Sequence, residues 1–262
     1  LNEDGELFSF GYNGFGELGQ RRSTNWHDTG IAAGHLHNSF GRVYPYTSVL
    51  DARVKKVIPG RSHCLAIMED NSLFGWGKNH VYQLGLDAGN SPGRVFSATH
   101  HTPILLATDV EDAYAGYYNS AYKKLDGSVY AMGYNKDGVL AGFGDGRTLG
   151  LDKYDDMFGL KTETDHAKMP IPWFESSDRV LEIAFGAHHS LVKRVKVDSQ
   201  NRTKLEYYSA GSNQFGQRGI GRDPDGTNGV FGASDRQEFD TQGNETYPGS
   251  DKWSLVSSFV VQ

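Results

Sequence analysis

Short apolar runs along this chain stop at a glycine, and an asparagine stands two positions after each of those glycines. Leu7-Phe8-Ser9-Phe10 runs into Gly11, Leu73-Phe74-Gly75-Trp76 into Gly77, Val129-Tyr130-Ala131-Met132 into Gly133, and Leu205 through Ala210 into Gly211. Runs of this length, rich in aromatic residues and bounded by turn formers, predict strands rather than helices. A second pattern precedes the last three. An apolar run beginning at Val54, Val110 or Val180 reaches Gly60, Gly116 or Gly186, and three residues later His63, Asn119 or His189 heads another apolar run. Gly60 is read as supplying the backbone freedom that reverses the chain between the two strands.

From Gly60 to Gly77 is 17 residues, from Gly116 to Gly133 again 17, and from Gly186 to Gly211 it is 25. Two equal offsets and one stretched copy place an insertion at a single point, the turn after the second strand. Glu69-Asp70-Asn71 and Leu125-Asp126-Gly127 are compact hairpin signals there, whereas residues 194–204 form a polar extension. A fourth strand is expected after the Gln83-Leu84-Gly85-Leu86 turn. Four-stranded antiparallel units cannot bury both faces alone, so the predicted fold class is all-β, a β-propeller of four-stranded blades stacked radially on a shared core. About four repeats are visible, over residues 1–20, 43–90, 101–151 and 170–221, with polar insertions over 21–42 and 221–252. The segment from Trp253 to Val261 is read as the first strand of a further blade.

The order of these motifs carries a resemblance. A Gly-x-x-His-Ser turn (Gly186 to Ser190), an Asp-Gly hairpin (Asp126-Gly127), a Trp-Gly-x-Asn strand end (Trp76 to Asn79) and a Gln-Leu-Gly turn (Gln83 to Gly85) follow in the succession of a known repeat. Together they resemble the regulator of chromosome condensation family, over about three quarters of the chain. The resemblance implies a propeller that usually has seven blades in the family. It makes Gly11, Gly60, Gly77, Gly116, Gly133, Gly186 and Gly211 structural positions of the repeat, with His63 and His189 at its histidine and Asn119 replacing that histidine in the middle copy. These polar residues are expected to cap the turn by bonding nearby backbone. Trp76 fills the aromatic slot and Cys64 lies within a strand, so both are assigned to the core.

Composition changes the picture little. The 33 glycines and the 14 phenylalanines and 14 tyrosines fit many tight turns joining many short strands. A formal charge of -6 and a pI near 5.9 argue against an electrostatic footprint for nucleic acid or an anionic membrane. Lys193-Arg194-Val195-Lys196 is read as a solvated hairpin flank. Mean hydropathy is -0.54 and no apolar run reaches the length of a membrane-spanning helix, so no membrane insertion is expected. The single cysteine excludes an intrachain disulfide and fits a reducing compartment. The sequons at Asn201 and Asn244 have meaning only in a secreted protein. No leader pattern is visible at Leu1-Asn2-Glu3-Asp4-Gly5, which leaves cytoplasm, cilium, mitochondrion and nucleus open.

The search for chemistry returns little. No Gly-x-Ser-x-Gly elbow, phosphate-cradling loop with lysine or metalloprotease helix motif is present, and no catalytic residue or cofactor is assigned. The glycines between Gly142 and Gly146 lack the strand-to-helix context of a dinucleotide site. His35 and His37 would chelate zinc only with further ligands, and Asp223 to Gly229 lacks the terminal glutamate of a calcium loop, so a solvated loop and a turn are the readings taken.

What remains is a rigid disc with loops, and loops on a rigid scaffold are where partner contacts reside. The expected function is a non-enzymatic protein-binding scaffold within a multi-subunit assembly. Arg21, Arg22, Trp26, His27, Trp173 and Trp253 are the candidate partner-binding residues, because they fall outside the repeat's structural slots. The alternative implied by the resemblance is guanine-nucleotide exchange on a small GTPase, for which no segment is assigned as the projecting wedge. A light sensor similar to the plant ultraviolet-B photoreceptor would need clustered tryptophans flanked by arginines, and four scattered tryptophans do not supply them.

Overall fold

A computed structural model describes residues 1–19, 36–43, 53–86, 99–134, 139–140, 166–174, 176, 179–211, 217–219, 238–239, 245–246 and 250–260. In it the glycine-bounded runs are strands. The first two, β1 (Phe8–Tyr12) and β2 (Leu36–Arg42), form an antiparallel pair. Next, β3 (Val54–Pro59), β4 (His63–Met68), β5 (Leu73–Lys78) and β6 (Thr99–Ala107) make a four-stranded meander. A second meander contains β7 (Val110–Ala115), β8 (Asn119–Lys124), β9 (Val129–Tyr134) and β10 (His166–Phe174). A third contains β11 (Val180–Phe185), β12 (His189–Val197) and β13 (Thr203–Gly211). After a small hairpin, β14 (Glu238–Phe239) with β15 (Glu245–Thr246), β16 (Ser250–Val260) completes this sheet. The sheets are propeller blades, the first represented by its two outer strands.

Strand pairing revises the expected boundaries. The blades run over 54–107, 110–174 and 180–260, so the segment expected to begin at residue 101 starts inside β6, the last strand of the preceding blade. The expected insertions are only partly loop. Residues 36–42 of the first form β2, and residues 250–252 of the second belong to β16. The segment from Trp253 is not the first strand of a further blade. Leu205 pairs with Phe259 and Tyr208 with Leu255, so β16 closes the edge of β13 that β12 leaves open. An unsatisfied row of backbone groups on β13 takes the next strand that reaches it antiparallel.

The hairpins between second and third strands follow from side-chain chemistry. Asp70 accepts the Ser72 backbone N–H at 2.9 Å, Asp126 accepts that of Ser128 at 2.8 Å, and Asp198 accepts those of Gln200 and Arg202 at 2.9 Å. Each aspartate thereby folds its own turn, and Asn71, Gly127 and Asn201 take the positive φ that the turn requires. The polar extension at 194–204 is mostly strand: pairing continues to Val197 opposite Thr203.

The glycines after the aromatic runs share one conformation. Gly11, Gly77, Gly133 and Gly211 have φ of 113°, 96°, 105° and 96°. A Cβ would stand 2.6 Å from the Ser62 carbonyl oxygen at Gly77, and 2.4 Å from those of Tyr118 and His188 at Gly133 and Gly211. Gly60 behaves differently from the expectation, because it is not among the positive-φ residues. Its lack of a side chain is required by space: the His63 ring lies over its Cα, with Cε1 2.3 Å from where a Cβ would be. The same holds for Gly186 beneath His189, at 2.2 Å.

Burial runs between blades. Val43 and Leu7 of the first pack on Ala66 and Trp76 of the second. Leu65, Ile67 and Leu73 of the second meet Val110, Ala113 and Met132 of the third, whose Ala121, Val129 and Leu140 meet Val180, Ile183 and Val192 of the fourth. The second and third blades are therefore apolar on both faces, as a radial stack demands. Phe10 shows the rule by contrast. It is 60% exposed, whereas Trp76, Met132 and Ala210 at the equivalent place are 2%, 0% and 0% exposed.

Candidate functional site

The turn from first to second strand and the end of the third strand lie at the same edge of every blade, because β-meander strands alternate in direction. Gly60 to His63, Gly116 to Asn119 and Gly186 to His189 are those turns, and Tyr12, Lys78 and Tyr134 are those ends. The two residues inside each turn project at this edge, and the blades are in contact, so their side chains meet across blade boundaries.

They form a continuous rim from the first blade to the fourth. The Tyr12 ring meets Phe15 at 6.5 Å and Phe15 meets His80 at 5.5 Å, both edge to face. Lys78 Nζ sits 4.4 Å above the Phe15 ring. Arg61 lies over Tyr117 at 3.9 Å and donates from Nη1 to the Tyr118 hydroxyl at 2.7 Å. Tyr118 meets Tyr134 at 5.7 Å, and His188 closes the arc 6.4 Å from Tyr118 and 6.1 Å from Tyr134. Tyr12, Arg61, His80, Tyr117 and His188 are exposed, and Phe15, Lys78, Tyr118 and Tyr134 are half-buried beneath them. Aromatic faces and cations arranged this way bind through cation–π contact and charge-assisted hydrogen bonds.

The electrostatics of the rim are one-sided. Burial, then the neighbouring Arg61 charge, holds the Lys78 ammonium below its usual range. Burial, then the Lys78 charge, lowers His80 likewise. Glu17 is the carboxylate drawn into this region; it accepts the Phe15 backbone N–H at 2.7 Å, and burial raises its pKa.

Below the rim the repeat's polar residues join blades. His63 Nε2 and Ser120 Oγ share a hydrogen bond of 2.9 Å between the second and third blades. Its main role is thus to bridge blades, and the expectation of a local turn cap is corrected. Burial lowers its imidazole to about 4. Trp76 Nε1 donates to the Glu17 carbonyl at 2.8 Å, joining second blade to first, and Ser190 donates to Val139 O at 2.5 Å, joining fourth to third. Asn119 donates within its own blade to Tyr134 O. Cys64 is half-buried beside this core, and burial pushes its thiol up to about 12.

Of the residues expected to bind partners, Arg21, Arg22, Trp26 and His27 lie outside the described residues. So do His35 and residues 223–229. Trp173 and Trp253 are not in loops: they stand in β10 and β16, the outermost strands of their blades. The repeat pattern does not disclose the rim, because Arg61, Tyr117, Tyr118 and His188 occupy the unspecified places of its turn motif. Their signal was the aromatic and cationic content of those places, legible once the turns are superimposed.

Residues 60–83 match the family model of the regulator of chromosome condensation repeat. That stretch contains the first turn, its bridging histidine and the Trp76-Gly77 strand end. The mitochondrial RCC1 domain-containing protein RUG3 of Arabidopsis thaliana is 25% identical over 73% of this chain and 36% of its own length. Protein RCC2 of Mus musculus is 25% identical over 91% of this chain and 39% of its own. The chain therefore spans less than two fifths of the length of these relatives. Among solved structures, yeast RCC1 (Prp20) bound to Kap60 superimposes with a TM-score of 0.58 at 23% identity, over 86% of this chain and 43% of that one. Repeat motif, blade architecture and relatives agree: the chain has the propeller fold, matches the regulator of chromosome condensation repeat at residues 60–83, and is similar to proteins built from that repeat.

Proposed function

We propose that this chain is a non-enzymatic protein-binding scaffold, a subunit or accessory factor of a larger assembly, which seats its partners on the aromatic and cationic rim. The continuous arc from Tyr12 to His188 carries this reading. It is assembled from four blades, so its geometry is preorganised by the inter-blade core, and little side-chain ordering remains to be spent on binding. Tyrosine and arginine are the residue types that dominate interface energetics. The yeast protein of this fold is found bound to Kap60, which supports a protein-facing role for such a platform.

The test is quantitative co-purification of the full-length protein under native conditions. Tyr117→Ala with His188→Ala should reduce recovery of a stoichiometric partner at least about tenfold, as loss of interface anchors does. Leu125→Ser, at an exposed hairpin on the opposite edge, should leave recovery unchanged. Equal recovery with both variants would move the binding surface elsewhere. Recovery of a GTPase whose nucleotide release is accelerated would replace the scaffold by an exchange factor.

A further inference from the structure

Some cations in the described blades pair with carboxylates, and others, such as Lys124 and Lys193, lie over tyrosine rings. Lys56 pairs with Asp112, Lys123 with Glu111 at 3.0 Å, Arg194 with Glu206 at 3.1 Å, and Arg202 and Lys204 with Asp198 at 2.8 and 3.2 Å. Arg61 and Lys78 belong with the cations that lie over aromatic rings. Among the described residues neither has a carboxylate at salt-bridge distance. They are held instead by aromatic faces, Arg61 on Tyr117 and Lys78 on Phe15. Their charges oppose each other: burial and then the Arg61 charge disfavour the Lys78 ammonium, and the Glu17 carboxylate partly offsets them. The nearby Glu17 carboxylate is turned to the Phe15 amide. Among the described residues these two neighbouring cations have no ion pair, with Glu17 acting on Lys78 only as a nearby opposite charge, and they stand on an exposed edge flanked by Tyr12 and Tyr117.

Resting on the reading of the rim as a partner platform, we infer that Arg61 and Lys78 receive a carboxylate-rich, aromatic-containing segment of a partner protein. Carboxylates complement both cations, with guanidinium able to take two oxygens at once. Side chains interleaved with them stack on Tyr117 and Tyr12. A nucleic acid fits less well: two cations give few phosphate contacts, and the acidic remainder of the chain repels a continuous polyanion.

The probe is a fluorescein-labelled peptide of alternating Glu and Tyr, about ten residues long and so spanning roughly 30 Å when extended. It is titrated into the full chain beside Gln-Tyr and Lys-Tyr peptides of equal length and a single-stranded oligonucleotide. The Glu-Tyr peptide should bind, weakening as salt rises through the range where exposed charges are screened. Arg61→Gln with Lys78→Gln should weaken it at least about tenfold, the loss of two charge-assisted contacts. Arg61→Glu with Lys78→Glu should reverse the preference toward the Lys-Tyr peptide, and thermal unfolding confirms that each variant is folded. No measurable Glu-Tyr binding, equal binding of the Gln-Tyr peptide, indifference to the charge variants, or tighter binding of the oligonucleotide would each overturn the inference. Those outcomes leave the platform reading standing if Tyr117→Ala with His188→Ala still loses the co-purified partner.

Discussion

The His63 ring lies directly over the Cα of Gly60, three residues earlier, leaving 2.3 Å between its Cε1 and any Cβ placed there. One turn thereby fixes an inter-blade bond, since the same ring reaches Ser120 at 2.9 Å. Gly60→Ala must push the ring aside, and the expected destabilisation is about 1–3 kcal/mol, the usual cost of overpacking. In a His63→Ala background the penalty should shrink to a few tenths of a kcal/mol, because the two residues are coupled by contact. Urea unfolding of the four proteins in this cycle measures both terms. Additive effects would show that Gly60 is required by the backbone alone.

Acid should weaken the second-to-third blade contact through His63. Burial holds its imidazole at about 4, against an ordinary value of 6.5, so the unfolded chain binds the proton more tightly than the folded one. Its contribution is fully present above about pH 6.5 and is lost as pH falls toward 4. The interval corresponds to at most about 3 kcal/mol. His63→Asn, which places there the residue the third blade uses, should flatten that part of the stability profile. Identical wild-type and variant profiles between pH 6.5 and 4 would assign the acid sensitivity to other groups.

Gly77 and Gly11 occupy equivalent places and should respond unequally to alanine. Both have positive φ, so both substitutions incur the left-handed penalty of about 1–2 kcal/mol. At Gly77 the new Cβ also meets the Ser62 carbonyl at 2.6 Å, whereas at Gly11 nothing lies within 4 Å. Gly77→Ala is therefore expected to lower the unfolding midpoint well beyond Gly11→Ala. Equal shifts would show that conformation alone sets the requirement.

Trp76 combines burial with one inter-blade hydrogen bond, and substitution separates the two. Trp76→Phe keeps much of the apolar contact but removes the donor to the Glu17 carbonyl, at an expected cost of about 1–3 kcal/mol. Trp76→Ala should cost about 3–5 kcal/mol, because it also opens a cavity between Val43 and Ala66. Chemical unfolding followed by circular dichroism reads both. Equal losses would mean that the hydrogen bond dominates the contact.

The repeat was legible because its constraints are local. A strand that ends at Gly77 and a turn that begins at Gly60 each leave a pattern within a few residues, and Asp70, Asp126 and Asp198 fold their own hairpins. The fourth strands were harder to place. β6, β10 and β16 follow long connections, and the backbone edge they complete is indifferent to which apolar segment arrives. For that reason Trp253 to Val261 reads in sequence as opening a blade, whereas it closes one. Tryptophan content likewise pointed to Trp173 and Trp253, whereas the rim uses tyrosine, histidine and arginine from the short turns.

Strand content, repeat number and the positions where only glycine fits follow from the order of residues, since backbone conformation and alternating burial act over short distances along the chain. Tertiary structure alone decided that His63 answers Ser120 and that Trp76 answers Glu17. It also brought Arg61, Tyr117, Tyr118 and His188, drawn from three separate blades, onto one edge. Radial packing creates those neighbours across the 56 residues between Gly60 and Gly116 and the 70 between Gly116 and Gly186, distances over which no local pattern can specify a contact.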